Sequence, residues 1–138
     1  MEGEGEVVVG ALAKEGGMRA VLDTSVLIDA TKGETGAFHY LDAMAIGDGL
    51  YSAVTLCELM AGTPPDGEPA LSTFLNRLQI CEVTEEIAFR AGQLRRLSKF
   101  VLEVPDALIA ATALVHHAVL VTRDRDHLSI PDLKVVTP

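Results

Sequence analysis

Four carboxylates are the residues of this chain best placed to do chemistry, because each stands where an apolar segment ends or begins. Asp23 closes the run Ala20-Val21-Leu22, and Glu58 is the sole acid among Leu56, Cys57, Leu59 and Met60. Asp106 follows Val104-Pro105 and precedes an alanine-rich stretch from Ala107 to His116. Asp124 follows Val119-Leu120-Val121-Thr122 in a polar segment that continues Arg123, Asp124, Arg125, Asp126, His127. Burying an ionised carboxylate is costly unless a cation or hydrogen bonds compensate. Several carboxylates without a fixed basic partner also repel one another and raise each other's pKa. A hard divalent cation relieves both costs; Mg²⁺ and Mn²⁺ prefer oxygen ligands and keep several waters. Sites of that kind hydrolyse phosphodiesters by activating water and stabilising the leaving oxygen.

Each acid taken alone has an ordinary structural explanation. Asp23 reads equally as a helix cap or turn aspartate. Thr55-x-x-Glu58 before an apolar run matches a capping box. An acid in the first turn of a helix, as at Asp106, is favoured by the helix dipole, and Asp124 reads as part of a solvated loop. The functional reading rests on the four together.

The elements that must position them follow from the apolar pattern. Short apolar runs at 20–22, 50–52, 79–83, 119–122 and 133–136 are expected to be strands. Helices are expected after Thr24 and Ser25, over 34–46, from Thr55 to Ala61, from Pro69 to Leu78, after Thr84-Glu85-Glu86, and from Asp106 onward. The long helix after Thr84 should bury Ile87, Ala91, Leu94 and Leu97, with Phe100 or Val101 continuing the stripe. Strands alternating with helices, and strands apolar on both faces, predict a three-layer α/β/α fold with a central parallel sheet of four to five strands. Ligands in such folds bind beyond the carboxyl ends of the strands, the edge where all four acids fall.

Composition bounds the alternatives. The chain has 138 residues, enough for one domain with a real core, and 49% of them are hydrophobic. Its net charge is −9, with 11 basic and 20 acidic residues. That argues against coating nucleic acid by charge alone, yet is compatible with an enzyme whose metal ions supply positive charge locally. Trp is absent and aromatics are 4%, so aromatic base-stacking platforms are not expected. Cys57 and Cys81 are read as free, buried thiols in a reducing compartment. Residues 1–17 alternate acid and glycine before a short apolar run, and are read as a flexible N-terminal extension to a domain over 18–138, with Met18 an alternative start. No segment reads as a secretory signal or a membrane span, so a cytoplasmic protein is expected.

The stretches Leu22-Asp23-Thr24-Ser25 to Asp29, Ser52 to Leu59 around Glu58, Pro105-Asp106 to Ala113, and Val121 to Asp126 resemble, in that order, the motifs of the PIN domain. They are most similar to the VapC-type toxins of toxin–antitoxin pairs, and the resemblance spans about residues 19–137. It implies a Mg²⁺- or Mn²⁺-dependent endoribonuclease in which Asp23, Glu58, Asp106 and Asp124 form the acidic metal site. Thr24 or Ser25 would support that site by hydrogen bonding, and Asp126 would assist through water. Metal-activated water would attack phosphorus in line, leaving a 5′-phosphate and a 3′-hydroxyl. The resemblance further implies an RNA substrate, a homodimer, and a small antitoxin that places a basic side chain in the acidic site.

Arg123 and Arg125, beside the acids, are candidates for phosphate contact or for ion pairs with neighbouring acids. Arg90, Arg95, Arg96 and Lys99 read as a solvated helix face. Where many PIN relatives carry an aromatic residue this chain has His127, which reads as a surface-loop histidine, with contact to metal or substrate as the alternative. Two other functions are consistent with the sequence. One is a Mg²⁺ phosphohydrolase with Asp23 as nucleophile, though that chemistry usually wants a second aspartate where Ser25 stands. The other is a PIN-like RNA-processing or partner-binding module that is not a toxin.

Overall fold

The computed structural model of the chain describes residues 19–33, 36, 39, 41, 42, 44, 47–124, 127 and 129–138. The extension over 1–17, Met18, most of the helix expected over 34–46, and Arg125 and Asp126 lie outside the described residues.

The sheet has five strands: β1 (Ala20–Leu22), β2 (Gly49–Ser52), β3 (Gln79–Cys81), β4 (Val119–Val121) and β5 (Val135–Val136). Their spatial order is β3-β2-β1-β4-β5, and every pairing is parallel. Around them run α1 (Thr24–Thr31), α2 (Ala53–Ala61), α3 (Glu68–Leu75), α4 (Glu85–Leu97) and α5 (Val104–Val115), with a 3₁₀ turn at Pro65–Gly67. Alternate strand residues feed two separate cores. Val21, Leu50, Leu120 and Val135 pack with α4 and α5 on one face. Ala20, Leu22, Tyr51, Val119, Val121 and Val136 pack with α1, Leu59, Leu71 and Leu75 on the other. Both faces of β1, β2, β4 and β5 are therefore buried, which is why those strands are apolar without alternation, whereas the edge strand β3 buries only Cys81.

The helix starts differ from expectation in instructive ways. The cap of α1 is Asp23 itself, with extended backbone (φ −67°, ψ 154°), rather than Thr24 or Ser25. The α2 helix opens two residues before Thr55: Ser52 is its cap, and its Oγ accepts from the Val54 amide at 3.0 Å. Thr55 is thus a buried interior residue, and the capping box fails as an explanation of Glu58. The α5 helix begins at Val104, ahead of the proline. Pro105 stands in its first turn, where the missing N–H has no intrahelical partner to lose, so Asp106 is the third helical residue rather than the first. Thr84 caps α4 as expected, accepting from the Ile87 amide at 3.2 Å.

The apolar stripe of α4 stops at Leu94, because the helix ends at Leu97 and the chain turns at Lys99 and Phe100, both with positive φ. Leu97, Phe100 and Val101 are accordingly exposed at 70%, 62% and 67%. Both cysteines are free, and Cys81 is buried, but Cys57 is exposed. The inward face of α2 is taken by Thr55 and Leu59, and Cys57 falls outside it. Among the described residues no helix is long and apolar enough to cross a membrane.

Candidate active site

Because all five strands are parallel, the segments that follow β1, β2 and β4 emerge at one edge, with β1 between the other two. Asp23 is the first residue beyond β1, Glu58 lies in the helix entered directly from β2, and Asp124 is the third residue beyond β4. The α5 helix packs across β1, β2 and β4 and against α2. Its first turn carries Asp106 to the same edge.

Three of these acids belong to one chain of hydrogen bonds. Asp23 is 5% exposed, and both its carboxylate oxygens are used. Oδ1 accepts from the Thr24 amide at 2.7 Å, and Oδ2 accepts from the Thr122 hydroxyl at 2.6 Å. The Thr122 hydroxyl in turn accepts from the Asp124 amide at 2.9 Å. On the other side, the Thr24 hydroxyl donates to Glu58 Oε1 at 2.6 Å and lies 3.0 Å from the Thr55 hydroxyl. One hydroxyl proton serves one acceptor well, and the charged carboxylate at the shorter distance is the stronger of the two. The buried Thr55 hydroxyl is then left to donate to Thr24. The sequence runs Glu58–Thr24–Asp23–Thr122–Asp124, tying the segments after three strands together through two threonines.

Asp106 is bound to the cluster by charge instead. Its carboxyl is pushed above the usual carboxylate range, first by burial, then by the negative charges of Asp23, Asp124 and Glu58, with His127 acting in the opposite direction. All four acids therefore share one electrostatic neighbourhood. Asp106, Asp124 and His127 each offer a ligand atom, and these atoms lie within 4.8 Å of one another. Two carboxylates and an imidazole are a competent donor set for a divalent cation, and an acid held above its ordinary pKa by like charges is one that a cation would relieve.

Of the other residues singled out in the sequence, Thr24 donates its hydroxyl to Glu58, while Ser25 is exposed. Arg123 makes the ion-pair alternative: its Nε lies 2.9 Å from Asp29 Oδ2. Arg125 and Asp126 lie outside the described residues. His127 is not a surface histidine. It is fully buried, its Nδ1 is 3.8 Å from Asp124 Oδ2, and among the described residues neither ring nitrogen has a hydrogen-bond partner.

Sequence reasoning reads Thr55 only as a helix cap, assigns Thr122 no role in the site, and misses the burial of His127. Thr122 carries a signal, a hydroxyl closing an apolar strand beside the one that ends at Asp23, as the β1–β4 register makes plain. A groove of about 640 Å³ runs beside Glu58, lined among others by Ile28, Thr31, Leu59, Leu71 and Phe74.

The model of the PIN domain family matches residues 20–133. Ribonuclease VapC4 of Mycobacterium tuberculosis is 32% identical over 132 residues, covering 86% of this chain and 96% of the relative. Among solved structures, a toxin-antitoxin complex from Klebsiella pneumoniae aligns with a TM-score of 0.76 at 36% identity, covering 86% of this chain and 97% of that one. The structure of VapBC2 from Rickettsia felis bound to a DNA fragment from their promoter aligns with a TM-score of 0.76 at 26% identity, covering 87% and 98%.

Proposed function

The chain belongs to the PIN-domain family, and on that premise we propose that it is a metal-dependent endoribonuclease, the toxin of a VapBC-type toxin–antitoxin pair. The relative named a ribonuclease spans nearly its whole length alongside this chain, and the 36%-identical solved relative is a toxin-antitoxin complex. The observation that carries the reading down to residues is the shared electrostatic neighbourhood of four carboxylates around Asp106.

In this reading Asp23, Glu58, Asp106 and Asp124 would hold the metal, Mg²⁺ or Mn²⁺. A divalent ion in such a site lowers the pKa of a coordinated water and offsets charge on the leaving oxygen. The protein's part is to hold the acids close and correctly turned. Thr122 fixes Asp23 and, through its hydroxyl, the amide of Asp124; Thr24 fixes Asp23 and Glu58. Arg123, held against Asp29, stands next to the acids where an RNA phosphate would pass. Asp126 would assist through water, and Arg125 would serve as a second phosphate contact. The protomers pair as a homodimer, for which the exposed Leu97, Phe100, Val101 and Val104 offer apolar surface. A small antitoxin would use the groove beside Glu58 and present a basic side chain to the acids, in keeping with the net charge of −9.

The test is cleavage of RNA by the purified protein with Mg²⁺ or Mn²⁺, with EDTA, and with Asp23→Asn. Oligonucleotides bearing a 5′-phosphate should appear only with metal and wild-type protein. Release of inorganic phosphate instead would favour the phosphohydrolase, and unimpaired cleavage by a folded Asp23→Asn protein would overturn the site.

A further inference from the structure

His127 stands at this edge buried, with its polar atoms not accounted for by the acids' hydrogen bonds. A buried polar atom without a partner is costly, and native structures hold few of them. Here, among the described residues, both nitrogens of one fully buried ring are without a hydrogen-bond partner. The ring is not remote from the chemistry: one of its nitrogens lies within 4.8 Å of oxygens of both Asp106 and Asp124. Donors on a single small cation, each about 2.1 Å from it, lie within roughly 4.2 Å of one another, so three side chains already this close need only draw together to share an ion.

We propose that His127 is a direct metal ligand alongside Asp106 and Asp124, making this a mixed nitrogen–oxygen site that selects Mn²⁺, or a similar transition ion, over Mg²⁺. The selectivity follows from ligand chemistry. Imidazole suits first-row transition ions, whereas Mg²⁺ is bound through carboxylates, carbonyls and water and gains little from nitrogen. An all-carboxylate site would not distinguish the ions on this ground. The proposal rests on the metal-site reading above and sharpens it by naming the ion class.

The experiment measures binding rather than catalysis. Mn²⁺ and Mg²⁺ are titrated calorimetrically into the full-length protein, into His127→Phe, which keeps a ring of similar size, and into Asp106→Asn. Pulsed electron paramagnetic resonance on the Mn²⁺-loaded wild type looks for modulation from a directly bound nitrogen. The wild type should bind Mn²⁺ more tightly than Mg²⁺ and show that modulation. His127→Phe should weaken Mn²⁺ by about tenfold or more while changing Mg²⁺ by less than about threefold. Absence of nitrogen modulation in the wild type, a readout that needs no variant to fold, overturns the assignment of His127. So does a parallel loss of both ions in His127→Phe. If Asp106→Asn binds both ions like the wild type, the metal-site reading itself fails. If Asp106→Asn loses both while His127→Phe keeps its preference for Mn²⁺, only the role of His127 is lost.

Discussion

Two aspartates stand at two helix starts on the same edge, and the fold treats them in opposite ways. Asp23 caps α1, is 5% exposed, and has both oxygens hydrogen-bonded. Asp106 stands in the first turn of α5, which takes no side-chain cap from Glu103. Among the described residues its carboxylate accepts no hydrogen bond, and burial and three neighbouring acids raise its pKa. Asp23 is an acid the backbone needs, and Asp106 is one the backbone merely tolerates. Folding alone accounts for the first. The second is left with an electrostatic cost that His127 only partly counters, and that residual cost is what points beyond structure.

The sharpest way to break the comparison is Asp106→Asn. If Asp106 holds the metal as proposed, its loss should lower RNA cleavage by a hundredfold or more, on the order of 3 kcal/mol of transition-state stabilisation. The same change should leave the metal-free protein no less stable, since it removes a repelled charge and no hydrogen bond. The pH dependence follows from the direction of the shift. A carboxyl whose folded-state pKa is raised binds its proton to higher pH than the unfolded chain does, so its destabilising contribution is absent below the unfolded pKa of about 3.9 and complete above the folded value. In EDTA, urea unfolding should therefore find wild type and Asp106→Asn alike at low pH. The variant should gain the advantage as pH rises through the window above about 4. An Asn variant that is less stable at all pH values would make Asp106 a structural first-turn acid after all.

Asp23 should show the reverse balance. Asp23→Ala removes a helix cap, worth about 1 kcal/mol, and leaves the buried Thr122 hydroxyl without its acceptor, at about 1–3 kcal/mol. Relief of repulsion offsets part of this, so a net loss of about 1–3 kcal/mol in urea unfolding is expected, together with loss of cleavage. Thr122→Val keeps the side-chain shape and deletes only the bridge between Asp23 and the Asp124 amide. It should cost about 1–2 kcal/mol and reduce cleavage while the acids themselves remain. If Thr122→Val is silent in both measurements, the hydrogen-bond chain is incidental and Asp23 is no better held than Asp106.

The same contrast explains what is legible in the sequence. The strands can be read because both faces of the sheet are buried, so that Ala20–Leu22 and Val119–Val121 are uninterrupted apolar runs. The acids stand out because each breaks such a run. Roles that depend on long-range pairing leave no such mark. Thr122 meets Asp23 across 99 residues of chain, and only the registration of Leu22 with Val121 brings them together. His127 is embedded in a charged sequence whose local pattern is that of a loop, and its burial is a tertiary fact. Cys57 departs from expectation in the other direction: its neighbours are apolar, but α2 buries Thr55 and Leu59 rather than every residue of its apolar run. Pro105 does so because the rule disfavouring helix before proline weakens in the first turn, where Val104 stands.

Arg123 carries the smallest expected effect and bounds how far the network of Asp23 extends. Its ion pair with Asp29 joins α1 to the segment after β4, the same two regions that Thr122 joins from within. The side chains are 44% and 28% exposed, however, and exposed pairs contribute about 0–1 kcal/mol. Arg123→Gln should therefore move the urea midpoint barely at all, and less as salt is raised. Its effect should appear in RNA binding instead, as a modest rise in KM with kcat nearly unchanged, because a phosphate interaction of equal strength in the ground and transition states supplies only uniform binding. A stability loss of about 2 kcal/mol or more, beyond what an exposed pair supplies, would mean that the clamp on Asp23 is built from the surface pair as much as from the buried threonine.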